Sequence, residues 1–387
     1  MINYLHMEIL KNRETCVFCG GVELNELIRL DGMPLFMGIN NGVENLYADM
    51  TFIECKHCNT VQIKELINPE ILYSNNHNIN VVGNIWSNHY TELIKFIGNS
   101  IKNKTVLEIG DPSCKISTKM SDDADKWYIV EINPDKNIDI PKKVLFIKKF
   151  FDENIVINDK IDVVIHSHLL EHITTPIEHL KQVHKLLNAE GELIFSVPNL
   201  NLILQSGQSP NAVLHFEHTY FYSIETLKHI LNACGFIVSE TFEYLNHSIF
   251  FKCKKVNIID LEINTLRDNN IGVKDLFIQN FTFFKGKILE INERILSHDT
   301  NEIYLYGAHI SSQFLINIGL DLSSVMCILD NSSSKNKLML YGTTLITEYP
   351  SIIIKDKKPL VIILHTSIYR DEIKSQLENL NKSVIVL

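Results

Sequence analysis

Between residues 104 and 198, short apolar runs that end in a glycine, proline or charged residue alternate with amphipathic stretches. Thr105-Val-Leu-Glu-Ile-Gly110 is apolar up to a glycine, the pattern of a buried parallel strand ending in a tight turn. Trp127-Tyr-Ile-Val-Glu131 and Ile161-Asp-Val-Val-Ile-His166 read the same way, the first ending in an acid. Ser167-His-Leu-Leu-Glu-His172 and Thr175-Pro176 come next, then a helix over 177–188 and Glu190-Gly191. A fourth strand, Glu192-Leu-Ile-Phe-Ser-Val197, is stopped by Pro198. Strand and helix in this rhythm predict a doubly wound α/β sheet with its ligand at the carboxyl ends of the strands.

The flanks are read on the same terms. Upstream, Ile85, Trp86, Tyr90, Leu93, Ile94, Phe96 and Ile97 predict a helix over 83–101, with its aromatics as packing. Tyr73 and His77 precede it in a polar, asparagine-rich loop placed to lid a site. Downstream, Pro198-Asn-Leu-Asn reads as a polar loop, and His215-Phe-Glu-His218-Thr-Tyr-Phe-Tyr222 leads to Ser223, the N-cap of a helix that stops at Gly235. Strands Phe236–Glu240 and Ser248–Cys253 form an antiparallel end of the sheet, and 257–298 is a long helical connector with a break near Asn269–Gly272. A second α/β unit follows: strand 302–306 into Gly307-Ala308, strand Val325–Asp330, strand Leu360–Leu364 with His365 at its end, helix 370–379 and strand 384–387.

Two chemical signals change this outline. Glu131 stands 21 residues past Gly110, close to where a Rossmann-type site places the acid that holds ribose hydroxyls. Two histidines and a glutamate within four residues (His215, Glu217, His218) lie where the sheet's carboxyl edge is expected, and a histidine there suits general-base work near neutral pH.

The N-terminal stretch carries the strongest local motif. Cys16-x-x-Cys19 and Cys55-x-x-Cys58 form two knuckles separated by 35 residues. Four thiolates complete a tetrahedral shell, so a structural zinc ion is expected on Cys16, Cys19, Cys55 and Cys58. Between the knuckles, 24–52 reads as short strands and loops too small to bury much core, so metal ligation would supply folding energy. Asn68-Pro-Glu starts a helix.

Length divides the chain and charge narrows its partners. At 387 residues, three parts are expected: 1–70, 71–256 and 257–387. Hydrophobic content of 45% with 21% charged residues fits a globular protein. A net charge of −10 argues against a nucleic-acid binder. Neither a membrane-spanning run nor a secretory signal is evident, so a cytoplasmic protein with its eight cysteines reduced is expected.

VLEIG at 106–110, LEHI at 170–173 and the lone glycine at 191 resemble class I S-adenosylmethionine-dependent methyltransferases. Nearly the whole chain resembles the sugar C-methyltransferase family, which acts on nucleotide-linked ketosugars. The matches, in order, are the four cysteines, His215-Phe-Glu-His218-Thr-Tyr-Phe-Tyr222-Ser223, Tyr306-Gly-Ala308, Asp330 through Lys335, and Gly342-Thr343. The resemblance implies cofactor contacts from Glu108, Gly110, Asp111, Glu131, Phe151 and His168. It implies His218 as the base, with His215, Glu217, Tyr73 and His77 around it. Tyr222, Asn199, Asn246, Gly307, Ala308, Lys335 and His365 would hold the nucleotide sugar. A monomer or homodimer is expected.

The chain also departs from the family. Gly110-Asp-Pro-Ser-Cys-Lys115 stands where two or three glycines are usual, His215 replaces a tyrosine, and Asn246-His247-Ser248 replaces Gly-Gly-Ser. These departures leave open O- or N-methyl transfer to a nucleotide-linked carbohydrate or other small molecule, and a non-catalytic sugar-nucleotide binder.

Overall fold

The computed structural model describes residues 9–40, 42, 44–73, 84–135, 138–257, 271–300, 302–362 and 369–387. His77, His365 and connector residues 258–270 lie outside them. The apolar runs become a central sheet of β1 (Thr105–Ile109), β2 (Lys126–Val130), β3 (Val144–Ile147), β4 (Ile161–Ser167), β5 (Leu187–Pro198), β6 (Phe236–Tyr244) and β7 (Ser248–Lys255). The spatial order is β6-β7-β5-β4-β1-β2-β3. β7 alone runs antiparallel to its neighbours. The order reverses between β1 and β4, the crevice where an open α/β sheet takes its ligand.

Two expectations are corrected here. The fourth strand does not begin at Glu192: helix Pro176–Leu186 passes directly into β5 at Leu187, and the extra residues bulge between the Ile161–Leu187 and Val163–Glu192 pairs. A Cβ on Gly191 would lie 2.9 Å from Leu187 Cδ2 and 3.0 Å from the Asn188 oxygen, so the bulge closes on itself where only glycine fits. The polar residues after Pro198 do not form a loop either. Asn199 caps a short helix, Leu200–Gln205, by accepting from Leu202 N–H.

Between the knuckles lie an 11-residue strand, Leu24–Pro34, and a 9-residue strand, Tyr47–Cys55, where short strands and loops were expected. Residues Met50 to Cys55 are buried throughout, because both faces of this antiparallel sheet are covered. Phe52 packs against Phe277 of helix Ile271–Leu296, with ring centroids 5.0 Å apart, and Phe18 packs against Tyr220 at 5.1 Å. Strand Val61–Ile63 also extends to the segment carrying the paired histidines: Ile63 N–H donates to the Thr219 oxygen (2.8 Å) and Phe221 N–H to the Val61 oxygen (2.7 Å). Arg13 Nη2 donates to Thr219 Oγ1 from the side (3.1 Å).

The C-terminal unit is a five-stranded parallel sheet built on Ile303–Tyr306, Val325–Leu329 and Leu360–Ile362, with Thr347–Glu348 and Ile385–Val386 at its edges. It is fastened to the N-terminal part by Gln313. Its amide accepts from Gly38 N–H (3.1 Å) and donates to the Phe36 and Tyr341 oxygens (2.9 and 3.0 Å). Among the described residues, no helix is long and apolar enough to cross a membrane.

Gln313→Leu keeps the volume and removes the amide from those three backbone groups at a buried interface. The expected loss is about 3 kcal/mol, since each buried unpaired group costs about 1–3 kcal/mol. Urea unfolding measures it, and a change below about 0.5 kcal/mol, the size of a neutral surface substitution, would mean the interface does not depend on this amide.

Candidate active site

The turn after β1 is closed by a carboxylate. Gly110 has φ +79°, and its N–H donates to the Val130 oxygen (3.0 Å). Asp111 Oδ1 accepts from Ser113 N–H (2.9 Å) and Oδ2 from Lys115 N–H (2.6 Å). Ser113 Oγ and the Pro112 oxygen tie the same loop to Asp135. Asp111 is therefore spent on shaping the loop. Glu108 is buried and accepts from Trp127 Nε1 (2.9 Å); burial first, then Asp111, pushes its carboxyl well above the usual range. Glu131 follows β2, accepts from Asn133 N–H (2.6 Å), and is raised by burial. Phe151 is half-buried, with its ring 5.2 Å from that of His179. Glu108, Gly110, Asp111 and Glu131 thus line the switch point.

Next to this turn is a group of imidazoles. β4 ends at Ser167, and a short helical turn over Leu170–His172 presents Glu171 and His172. His215 and His218 close a tight turn with mutual backbone hydrogen bonds of 3.2 and 2.9 Å, and their rings lie 4.0 Å apart. His172 Nε2 faces His218 Nε2 at 3.2 Å. On its other side, His172 Nδ1 meets Tyr73 Oη at 3.0 Å and lies 3.7 Å from Glu217 Oε2. Burial lowers the pKa of His172, and lowers those of His215 and His218 well below 6.5, so these rings are uncharged at neutral pH. Glu171 has neither carboxylate oxygen hydrogen-bonded, and burial raises it to about 7.

A second group lies beside the first. His168, at φ +49°, turns Nε2 to Ser248 Oγ (2.8 Å). His247 Nδ1 meets the same hydroxyl, and His89 Nε2 meets Ser167 Oγ (3.1 Å) and Ser196 Oγ (3.3 Å). Burial lowers His168 and His247 to about 3 and His89 to about 2.

The structure therefore brings together Tyr73, His215, Glu217 and His218, with His168 in the adjoining group. Tyr222 is buried nearby with its hydroxyl unpartnered, and Asn199 is buried as a helix cap. Asn246 is exposed on the β6–β7 turn, while its neighbour His247 points inward. In the C-terminal unit, Lys335 Nζ is 3.0 Å from Asp330 Oδ2 and donates to the Ala308 oxygen (3.1 Å), and Ala308 N–H donates to Asp330. Gly307 makes the turn at φ +98°. Its second neighbour His309 is exposed on the surface, yet near enough to His215 to lower that ring further.

Sequence reading missed His89, Glu171, His172, His247 and His309 as site residues. LEHI quoted Glu171 and His172 without giving them a task. His89 was hidden in an apolar helical period, and His309 lies one position past a quoted motif.

The cysteine knuckles also come together. Cys16 and Cys58 Sγ are 3.5 Å apart, as are Cys19 and Cys55. His57 N–H points at Cys55 Sγ (3.4 Å), and a Cβ on Gly21 would meet Cys19 and Cys55 Sγ at 3.3 Å. The donor set is a four-thiol cluster capable of holding a metal ion.

Residues 85–241 match the family model Methyltransf_23, described as a methyltransferase domain. No curated protein matches the chain. Solved structures that resemble it include N-methyltransferase NodS from Bradyrhizobium japonicum WM9 with S-adenosyl-L-homocysteine (11% identity, TM-score 0.36, covering 47% of this chain and 92% of that one). Another is 1,6-didemethyltoxoflavin-N1-methyltransferase from Burkholderia thailandensis (12% identity, TM-score 0.35, 45% and 82% covered). A SAM dependent methyltransferase from Aquifex aeolicus is a third (14% identity, TM-score 0.34, 43% and 89% covered). Likenesses of this size carry no argument about substrate. Over residues 85–241 the chain is thus similar to a methyltransferase domain.

Gly110→Ala places a side chain at φ +79°, with its Cβ 3.0 Å from Leu169 Cδ1. A left-handed non-glycine residue costs about 1–2 kcal/mol. The expected result is a loss of that size in urea unfolding and at least tenfold weaker S-adenosylmethionine binding by calorimetry. Unchanged affinity would remove this turn from the cofactor site.

Proposed function

We propose that the chain methylates a nucleotide-linked sugar at the carbon beside a keto group, using S-adenosylmethionine, with His218 as the base. The observation that carries this reading is the uncharged His172–His218 pair, half-buried at the carboxyl edge of the sheet and flanked by Tyr73 and Glu217. A proton next to a carbonyl is acidic because the enolate spreads its charge onto oxygen. His218 takes that proton, and the electron pair left on carbon attacks the sulfonium methyl. The carbon–sulfur bond breaks with its electrons going to sulfur, giving S-adenosylhomocysteine. The proton stays on imidazole, where Glu217 stabilises the positive charge that His172 and His218 share. Asp111 and the backbone it orders would face the cofactor's amino acid end, and Glu131 its ribose.

A second reading, O- or N-methyl transfer, is favoured by the His247 imidazole, which stands where the resembled family has glycine. The same base serves it, and no ketone is needed. The C-terminal unit would meet the nucleotide through Gly307 and Ala308, with Lys335 already shared with Asp330.

His218→Asn should lower kcat by about 10²–10⁴-fold while calorimetry shows cofactor binding unchanged. Because burial depresses its pKa, His218 stays unprotonated as pH falls through 6.5. The acid limb of kcat/KM in the wild type should therefore lie below pH 6.5. Wild-type turnover in the variant, or an acid limb above 6.5, would remove His218 as the base.

The four-thiol cluster supports structural zinc. A Zn–S bond of about 2.3 Å gives a tetrahedral edge near 3.8 Å, close to the observed sulfur separations. A mercurial thiol reagent should release about one zinc per chain from the wild type and none from Cys55→Ser, whose melting temperature should also fall. Release of no zinc from the wild type would overturn the assignment.

A further inference from the structure

We propose that His89, His168 and His247 form a second metal centre, a three-imidazole site for a divalent late first-row transition ion such as zinc. It is separate from the cysteine cluster and from the His172–His218 pair, and it does not depend on the identity of the methyl acceptor.

Three separate elements supply the rings: helix Asn84–Ile97, the residue after β4, and the β6–β7 turn. Ring centroids are 5.1 Å apart for His89 and His168, 5.4 Å for His168 and His247, and 5.6 Å for His89 and His247. An ion about 2.1 Å from a ring nitrogen sits roughly 3.2 Å from that ring's centroid. Three rings at tetrahedral angles around it would then have centroids about 5.2 Å apart. One nitrogen from each ring lies within 4.8 Å of the other two. Two of the nitrogens, His168 Nε2 and His247 Nδ1, already converge on a single point, marked by Ser248 Oγ.

The surroundings fit the same assignment. Metal-bound histidines hand their other N–H to a carboxylate or carbonyl, which fixes the tautomer. His168 Nδ1 lies 3.1 Å from Glu171 Oε1. That oxygen makes no hydrogen bond with the ring as it stands, and Glu171 is buried with neither oxygen hydrogen-bonded. With Nε2 on an ion, the proton must sit on Nδ1, and a small turn of the ring gives Glu171 the partner it lacks. His89 Nδ1 is likewise buried and unpartnered. Trp86 closes one side, its ring 4.8 Å from that of His168 and 4.6 Å from that of His247. The competing arrangement is metal-free, with Ser167, Ser196 and Ser248 hydroxyls alone partnering the rings.

The test uses the full-length chain, stripped of metal by chelation and titrated with Co(II) under reducing conditions. The wild type should take up two equivalents. One gives thiolate-to-cobalt charge-transfer bands, and the other gives d–d bands alone. His247→Ala, on a partly exposed turn, should keep the first and bind the second at least tenfold more weakly. Cys55→Ser should do the reverse. His168→Gln is a second probe, with circular dichroism reporting whether it folds. Failure of the wild type to take up an equivalent that adds d–d bands without charge-transfer bands, or uptake of that equivalent by His247→Ala as tightly as by the wild type, overturns the site. S-adenosylmethionine binding, measured on the same samples, separates failure of this site from failure of the methyltransferase reading.

Discussion

Removing an imidazole from water without charging it is the condition on which this site is built. A buried polar nitrogen is costly unless it has a partner, and a buried imidazolium costs far more unless it is paired. His89, His166, His168, His172, His215, His218 and His247 crowd the region where the sheet ends, and burial is the first cause of every lowered pKa among them. Neutral partners then have to be supplied locally. Ser167 and Ser196 stand opposite each other on β4 and β5, and Ser248 opposite Pro198 on β7, so three hydroxyls arrive in register along one edge. The result is a polar surface carrying free lone pairs rather than positive charge, which suits both proton abstraction and ligation.

The same condition explains why a cysteine module belongs to a methyltransferase chain. The turn carrying His215 and His218 is not held by the central sheet. It is held by strand Val61–Ile63 and by Arg13, and that strand leads back through Thr60 to Cys58. Gln62, which pairs with Tyr220, accepts from Val17 N–H inside the first knuckle. Loss of order at the thiols therefore reaches the imidazoles through two residues of β-structure. The C-terminal unit acts from the other side, where His309 adds to the field on His215 and Gln313 fixes the unit's distance.

What the sequence disclosed follows from which interactions are local. Apolar runs such as Val106–Ile109 and Leu193–Val197 found their strands because burial on both faces leaves a continuous signal. Ser223 as a cap and Gly235 as a stop are decided within one turn of helix and were legible for that reason. The strand Tyr47–Cys55 was not, because its second buried face is made by Phe277, more than 200 residues away. His89 and His247 failed for the same reason: each is an ordinary residue of its own element, and only the packing of a helix on a hairpin gives them a common task. Resemblance pointed correctly to a methyltransferase domain, yet it directed attention to Asn246 when the inward-facing side chain belongs to the next residue.

The glycine-poor turn after β1 shows how a departure from a family pattern can preserve its shape. Extra glycines normally let the backbone curl by removing Cβ. Here Asp111 holds the curl by accepting from Ser113 and Lys115, while Cys114 takes φ +53° with its thiol buried. A left-handed cysteine costs about 1–2 kcal/mol, and two charge-assisted hydrogen bonds contribute about 1.5–3 kcal/mol each, so the turn is stable as built. The consequence falls on the ligand. Two amides that a glycine-rich loop would offer to an anionic group are already occupied, and a carboxylate stands beside them. In the proposed reading, cofactor affinity would come from elsewhere along the crevice, from the carboxylate of Glu131 toward ribose and from Phe151. A turn of this kind favours the cationic sulfonium and ammonium of S-adenosylmethionine over a phosphate, which is the selectivity a methyltransferase needs from a Rossmann-like sheet.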